Sequence, residues 1–127
     1  MFANTKAYSG FAVDDVDKAR AFYEETLGVK TSVEHGLMTL HLAGDRPTLV
    51  YPKPDHTPAT YTILNFPVDD IDKAAAELTA RGVQFEKYEG DDQDEKGIMR
   101  GLSRGEGPDI AWFRDPAGNI VSVLQEA

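Results

Sequence analysis

Few side chains in this sequence are equipped for chemistry. There are three histidines, His35, His41 and His56, and no cysteine, so thiolate metal sites, cysteine nucleophiles and disulfides are excluded. His35 precedes Gly36 in what reads as a turn, and His56 sits in a proline-rich stretch. Only His41 falls within an alternating apolar segment, where an imidazole suits a general base or a ligand contact. A hydrogen-bonded strand residue suits that position equally well. The acidic run Asp91, Asp92, Asp94 and Glu95 lacks the oxygen spacing and terminal glutamate of a calcium loop. A more coherent set is aromatic and neutral: Tyr8, Tyr51, Tyr61 and Trp112, with His41, Asn65 and Ser122 as polar points. A few polar groups on an apolar wall is how small-molecule sites are usually built, although the same aromatics also suit plain sheet core.

The elements that must position these residues come in two copies. The stretch GFAVDDVDKARAFYEETLG from Gly10 is echoed by NFPVDDIDKAAAELTARGV from Asn65. Placing Phe11 on Phe66 aligns Val13, Asp14, Asp15, Asp17 and Lys18 with Val68, Asp69, Asp70, Asp72 and Lys73. Each copy reads as a strand handing over to a helix. Alternation puts Phe11 and Val13 on one face and Tyr8, Gly10 and Ala12 on the other. Asp14 or Asp15, and Asp69 or Asp70, can cap the helices, with Asp17 and Asp72 adding favourable charge in the first turn. Val16, Ala19, Phe22, Tyr23 and Leu27 form one apolar stripe, Ile71, Ala74, Ala75 and Leu78 the other, and Gly28 and Gly82 stop the helices.

After the first helix, Val29 to Glu34 and Leu37 to Leu42 read as a hairpin closed by His35-Gly36, and Thr48 to Tyr51 as a further strand. Pro52 to Thr60 is a stiff linker. In the second copy Tyr61 to Val68, Val83 to Tyr88, Ile110 to Arg114 and Ile120 to Leu124 read as strands, with a turn at Asp115–Asn119. The segment 89–108 has no counterpart in the first copy, and its length fits a lid or a disordered loop. The domain reading is one domain over 1–127, made of a first module 1–53, a linker 54–60 and a second module 61–127.

The formal charge of −9 at pH 7 argues against nucleic acid or an anionic membrane as partner and leaves a cationic small-molecule guest open, while solubility alone also accounts for it. Neither a membrane-spanning apolar run nor the apolar core of a signal peptide is visible, so a cytoplasmic location is expected.

The tract VDDVDKARAFYEETLG, its copy VDDIDKAAAELTARGV and the late FRDPAGN turn resemble the vicinal oxygen chelate superfamily, which includes glyoxalase I, extradiol dioxygenases, fosfomycin-resistance transferases and bleomycin resistance proteins. The resemblance implies an α+β fold of two tandem βαβββ modules. Their strands would form a curved eight-stranded mixed sheet, with helices on the convex side and a ligand in the concave cleft, and many members are homodimers. It also implies metal-ligand positions at Tyr8, Ile63 and Ser122, and on the fourth strand among Thr48, Leu49 and Val50. A divalent metal wants imidazoles or carboxylates, so the expectation is no cofactor and a metal-independent small-molecule-binding protein. Its ligand-binding residues would be Tyr8, His41, Tyr51, Tyr61, Asn65, Trp112 and Ser122. The alternative is a glyoxalase-like enzyme, a lyase, isomerase or dioxygenase, with an atypical or absent metal site and His41 as the candidate catalytic residue.

Overall fold

Both repeats open their helices with the same hydrogen bond: Asp15 Oδ1 accepts from the Lys18 amide and Asp70 Oδ1 from the Lys73 amide, each at 3.1 Å. In the computed structural model, which describes residues 1–127, the cap is therefore the second aspartate of each pair. Asp15 and Asp70 keep extended backbone while the next residue turns helical, the geometry that lets a short carboxylate reach back to an orphan amide.

The chain divides into two compact units, Met1–Thr57 and Pro58–Ala127. In the first, β1 (Gly10–Val13) leads into α1 (Val16–Ala21), then β2 (Lys30–Glu34), β3 (Leu37–Leu42) and β4 (Arg46–Pro52). After Ala21 the helix widens into a π-type turn over Phe22–Thr26 and ends near Gly28, at φ 73°. The second unit holds β5 (Thr62–Pro67), α2 (Ile71–Ala80), β6 (Met99–Arg100), β7 (Asp109–Arg114) and β8 (Ile120–Gln125).

The strands form two four-stranded sheets, ordered β1-β4-β3-β2 and β5-β8-β7-β6. In each, the strand before the helix pairs in parallel with the last strand of its unit, and the other pairs are antiparallel. This is an α+β fold of two βαβββ modules, and the equal strand order is the duplicated sequence expressed as topology.

One face of each sheet packs on its helix. In the first unit Phe11, Val13, Met38, Leu40, Thr48 and Val50 are buried with Ala19 and Tyr23 of the helical segment, and Tyr23 meets Phe11 with ring centroids 5.9 Å apart. Burying a side chain of this size contributes roughly 1.5–3 kcal/mol. In the second unit Ala111, Phe113, Val121 and Val123 are buried along with Ile71 and Ala75 of α2. Strand alternation then turns the other set outward, which is where polar and aromatic residues concentrate.

The hairpin turn at His35-Gly36 has both residues at positive φ, 55° and 78°, the turn that matches the twist of a two-residue hairpin. Two expected features differ. Val83 to Tyr88 forms no strand; it makes a single bridge, Phe85 to Phe113. The second strand of the second module is instead Met99–Arg100, inside the segment expected to be a lid or disordered loop.

That segment is folded. Gln93 acts as its internal splint, accepting from the Tyr88 amide at 2.8 Å and donating to the carbonyls of Glu86 and Gly97 at 2.9 and 2.7 Å. Asp94 Oδ1 accepts from the amides of Lys96 and Ile98, both at 2.9 Å, and Ile98 is fully buried. Arg100 clasps Asp72 on α2 through both terminal nitrogens, at 3.0 and 2.7 Å, and Asp94 through Nε at 3.0 Å. A Cβ on Gly101 would lie 2.5 Å from the Pro108 carbonyl oxygen, so only glycine fits where the segment doubles back.

Candidate functional site

In the first unit the outward face carries Gly10, Ala12, Leu49, Tyr51, Thr39, His41 and Ser32, in the register set by the sheet. His41 Nε2 lies 2.7 Å from the Ser32 hydroxyl oxygen, a hydrogen bond within reach of acid–base work. No carboxylate sits on the other ring nitrogen to orient the imidazole, which a nucleophile–base pair ordinarily has. Tyr8, 64% exposed, stands just before β1. Together with His41 it lines an open groove of about 540 Å³, whose charged walls are Lys6, Asp45 and Arg46. The structure thus brings Tyr8 and His41 together. Tyr51 lies on the same sheet face, apart from the groove lining, and is 37% exposed.

In the second unit three of the expected residues sit side by side on adjacent strands. Asn65 of β5 is opposite Ser122 of β8, which is opposite Trp112 of β7. Ser122 is fully buried and its hydroxyl donates to Asn65 Oδ1 at 2.5 Å, which leaves the Asn65 amide nitrogen to donate outward. Tyr61, 68% exposed, stands at the head of β5 apart from this group.

A residue not anticipated from the sequence completes the arrangement. The Tyr88 ring packs edge-on against Trp112, with centroids 5.6 Å apart and planes at 70°. Its hydroxyl is buried and has no hydrogen-bond partner, and burial, reinforced by nearby Glu86, raises its pKa. The sequence showed only a tyrosine at the end of an expected strand; the missing partner is a tertiary fact. On the same face the Arg114 guanidinium is committed to the Glu86 carboxylate and to the Gly118 carbonyl.

A third feature lies on the opposite face. A groove of about 670 Å³ beside α2 is lined by Ala75, Val83 and Phe85 together with Lys87, Glu95 and Lys96. Both lysines are occupied, Lys96 by Asp72 and Lys87 by the Asp94 carbonyl, so this groove offers no free cation to a ligand.

The positions where the resemblance implies metal ligands do not fit a divalent ion. Tyr8 offers a neutral phenol, Ile63 offers nothing, and the Ser122 hydroxyl is committed to Asn65. No three His, Asp or Glu side chains gather anywhere in the molecule in a way that could hold a metal. No helix is long and apolar enough to cross a membrane.

The family profile described as the Glyoxalase/Bleomycin resistance protein/Dioxygenase superfamily matches residues 7–123. Among solved structures, the chain is similar to a putative glyoxalase family protein from Bacillus anthracis, at 19% identity and TM-score 0.69 over 94% of this chain and 93% of that one. It is also similar to TnmS3, an antibiotic binding protein from a Streptomyces strain, at 23% identity and TM-score 0.64 over 95% and 96%. The fosfomycin resistance protein FosX from Listeria monocytogenes aligns at 14% identity and TM-score 0.71 over 100% and 94%. No curated protein matches the sequence.

Proposed function

This chain belongs to the glyoxalase/bleomycin resistance protein/dioxygenase superfamily, and we propose that within it the protein is a metal-independent small-molecule-binding protein. The ligand rests on the face of the second unit's sheet turned away from α2, in a chain that functions as the single domain 1–127. The observation that carries this reading is the Asn65–Ser122–Trp112 row with Tyr88 beside it. It is an aromatic wall with a few neutral polar groups, and its Ser122 stands at a position where the family's metal chemistry would require a charged or imidazole ligand. Likeness of fold to an antibiotic binding protein is in keeping with it, as an analogy of fold.

The net charge of −9 draws cations toward the molecule as a whole. Locally the balance differs, since Lys6 and Arg46 flank the lone Asp45 in the first unit's groove and Glu86 is already paired with Arg114. An uncharged aromatic body therefore suits these surfaces better than a cation does.

A second reading rests on one observation. The His41–Ser32 hydrogen bond at the rim of the Tyr8 groove would serve an enzyme that uses His41 as base. A cytoplasmic location and a homodimer complete the proposal. The dimer is motivated by exposed Val33, Leu37 and Tyr61 and by the open sheet edges, which proteins tend to cover; a monomer in sedimentation at micromolar concentration would dismiss it.

The direct experiment is a thermal-shift panel of neutral, cationic and anionic aromatic compounds. A true ligand at about a hundredfold over its Kd adds roughly 2.7 kcal/mol of stability. Neutral compounds are expected to lead, and Trp112→Ala to weaken them about tenfold or more. A panel without any shift contradicts the binding reading. Turnover of a hit that is abolished by His41→Ala favours the enzyme.

A further inference from the structure

The groove of about 540 Å³ in the first unit is lined by two cations that have no carboxylate partner, Lys6 and Arg46. Acidic residues outnumber basic ones 22 to 13, so carboxylates are plentiful, and Arg20, Arg81, Arg100, Arg104 and Arg114 each pair with one. Arg46 is the arginine that does not. The groove has a single carboxylate of its own, Asp45, and it bonds to neither cation.

The turn between β3 and β4 sets where this charge sits. Gly44 and Asp45 both take positive φ, 79° and 61°, and a Cβ on Gly44 would lie 3.4 Å from Arg46 Nε, so the guanidinium rests against the turn. The apolar part of the lining is Leu42, Pro47 and the exposed ring of Tyr8. Lys30, opposite His41 on β2, adds to the positive field at this end of the sheet. The negative charge of the rest of the chain is screened beyond about 8 Å at physiological ionic strength, so the local balance decides. Lys6 and Arg46 against Asp45 leave the lining one positive charge in excess, which suits a monoanion better than a dianion.

We propose that this groove binds a small organic carboxylate with an aromatic body, its charge held by Arg46 and Lys6 and its body resting on Tyr8, Leu42 and Pro47. The planar guanidinium matches a carboxylate with paired hydrogen bonds, and the groove's volume is that of a small-ligand site. Because the groove is open and both cations are exposed, the affinity is modest, on the order of millimolar. The site belongs wholly to the first unit and goes beyond the reading above, on which it does not depend.

The test compares benzoate with benzamide, a neutral molecule of nearly the same shape, each titrated into isotope-labelled protein and followed by backbone amide shifts in NMR. Benzoate is expected to bind about tenfold more tightly than benzamide and to move the amides of residues 6–9 and 41–46. Arg46→Gln and Lys6→Gln should each weaken benzoate about threefold, the size expected of an exposed ion pair, and leave benzamide unmoved. Asp45→Asn, which keeps a residue tolerant of positive φ, should tighten benzoate about threefold by removing the one opposing charge. Equal affinity for the two compounds, shifts centred outside the groove, or benzoate affinity indifferent to both cation variants overturns the inference. An Asp45→Asn protein that binds benzoate less tightly than the wild type overturns it too. Failure here leaves the second unit's site untouched, since that site is judged separately by the compound panel and Trp112→Ala.

Discussion

Asp115 shows how much one buried carboxylate can hold. It is 5% exposed and accepts from the amides of Ala117 and Asn119 at 2.9 Å each and from Asn119 Nδ2 at 3.2 Å, tying the turn between β7 and β8. Asp115→Ala would strand two amides in a buried turn, and we expect it to lower unfolding stability by about 2–3 kcal/mol; chemical denaturation measures this, and a loss well below that range would mean the turn is held by something else. Several such residue roles were legible in the sequence, because they depend on local rules. The capping acids before each helix, the glycine stops and the turn at Asp115–Asn119 are of this kind. The Asn65, Trp112 and Ser122 adjacency was within reach, since alternation alone turns them to one face. Tyr88 was not, because what distinguishes it is a hydrogen bond that is not made, and only the packed structure reveals that.

At the scale of elements, the segment between Tyr88 and β7 decides how the second unit differs from the first. Its clasp onto α2 is electrostatic. Hydrogen bonds from Arg100, helped by Lys96, lower the Asp72 carboxyl from an ordinary 3.8 to about 2. Burial pushes Asp94 upward, but the Ile98 amide and Arg100 outweigh it and the net shift is downward. A folded-state pKa below the unfolded one contributes stability that is complete above the unfolded value and is lost as pH falls through the folded value. The clasp should therefore hold at neutral pH and weaken between about pH 4 and pH 2. Asp72 is 48% exposed at its side chain, so solvent screening limits the effect. Asp72→Asn should reduce stability at pH 7 by no more than about 1 kcal/mol and remove part of the acid-dependent loss. Hydrogen exchange at the Ile98 amide should quicken in the same variant; unchanged exchange would mean the clasp does not hold the segment down. The sequence did not disclose this element because its order comes from side chains such as Gln93 and Asp94 bonding to backbone, which leaves no apolar periodicity to read. The strand expected over Val83 to Tyr88 failed for a related reason: its apolar residues pack, as Phe85 does on Phe113 at 6.0 Å, without joining a ladder.

For the whole molecule, duplication made the architecture legible and the function less so. A repeated strand–helix signal in the sequence predicts two like modules, and the identical strand orders follow from it. The same scaffold hosts unrelated chemistries in its superfamily, so function turns on what stands at a few positions. Here Tyr8, Ile63 and Ser122 stand where metal ligands are expected, and no cluster of acidic or imidazole side chains replaces them. The measurement that bears most directly on this is the Kd of the best compound from the thermal-shift panel, taken by calorimetry after exhaustive chelation and again after adding Zn²⁺, Mn²⁺ or Ni²⁺. Equal affinity in all conditions is the predicted result. Binding that vanishes on chelation and returns with a metal would contradict the account.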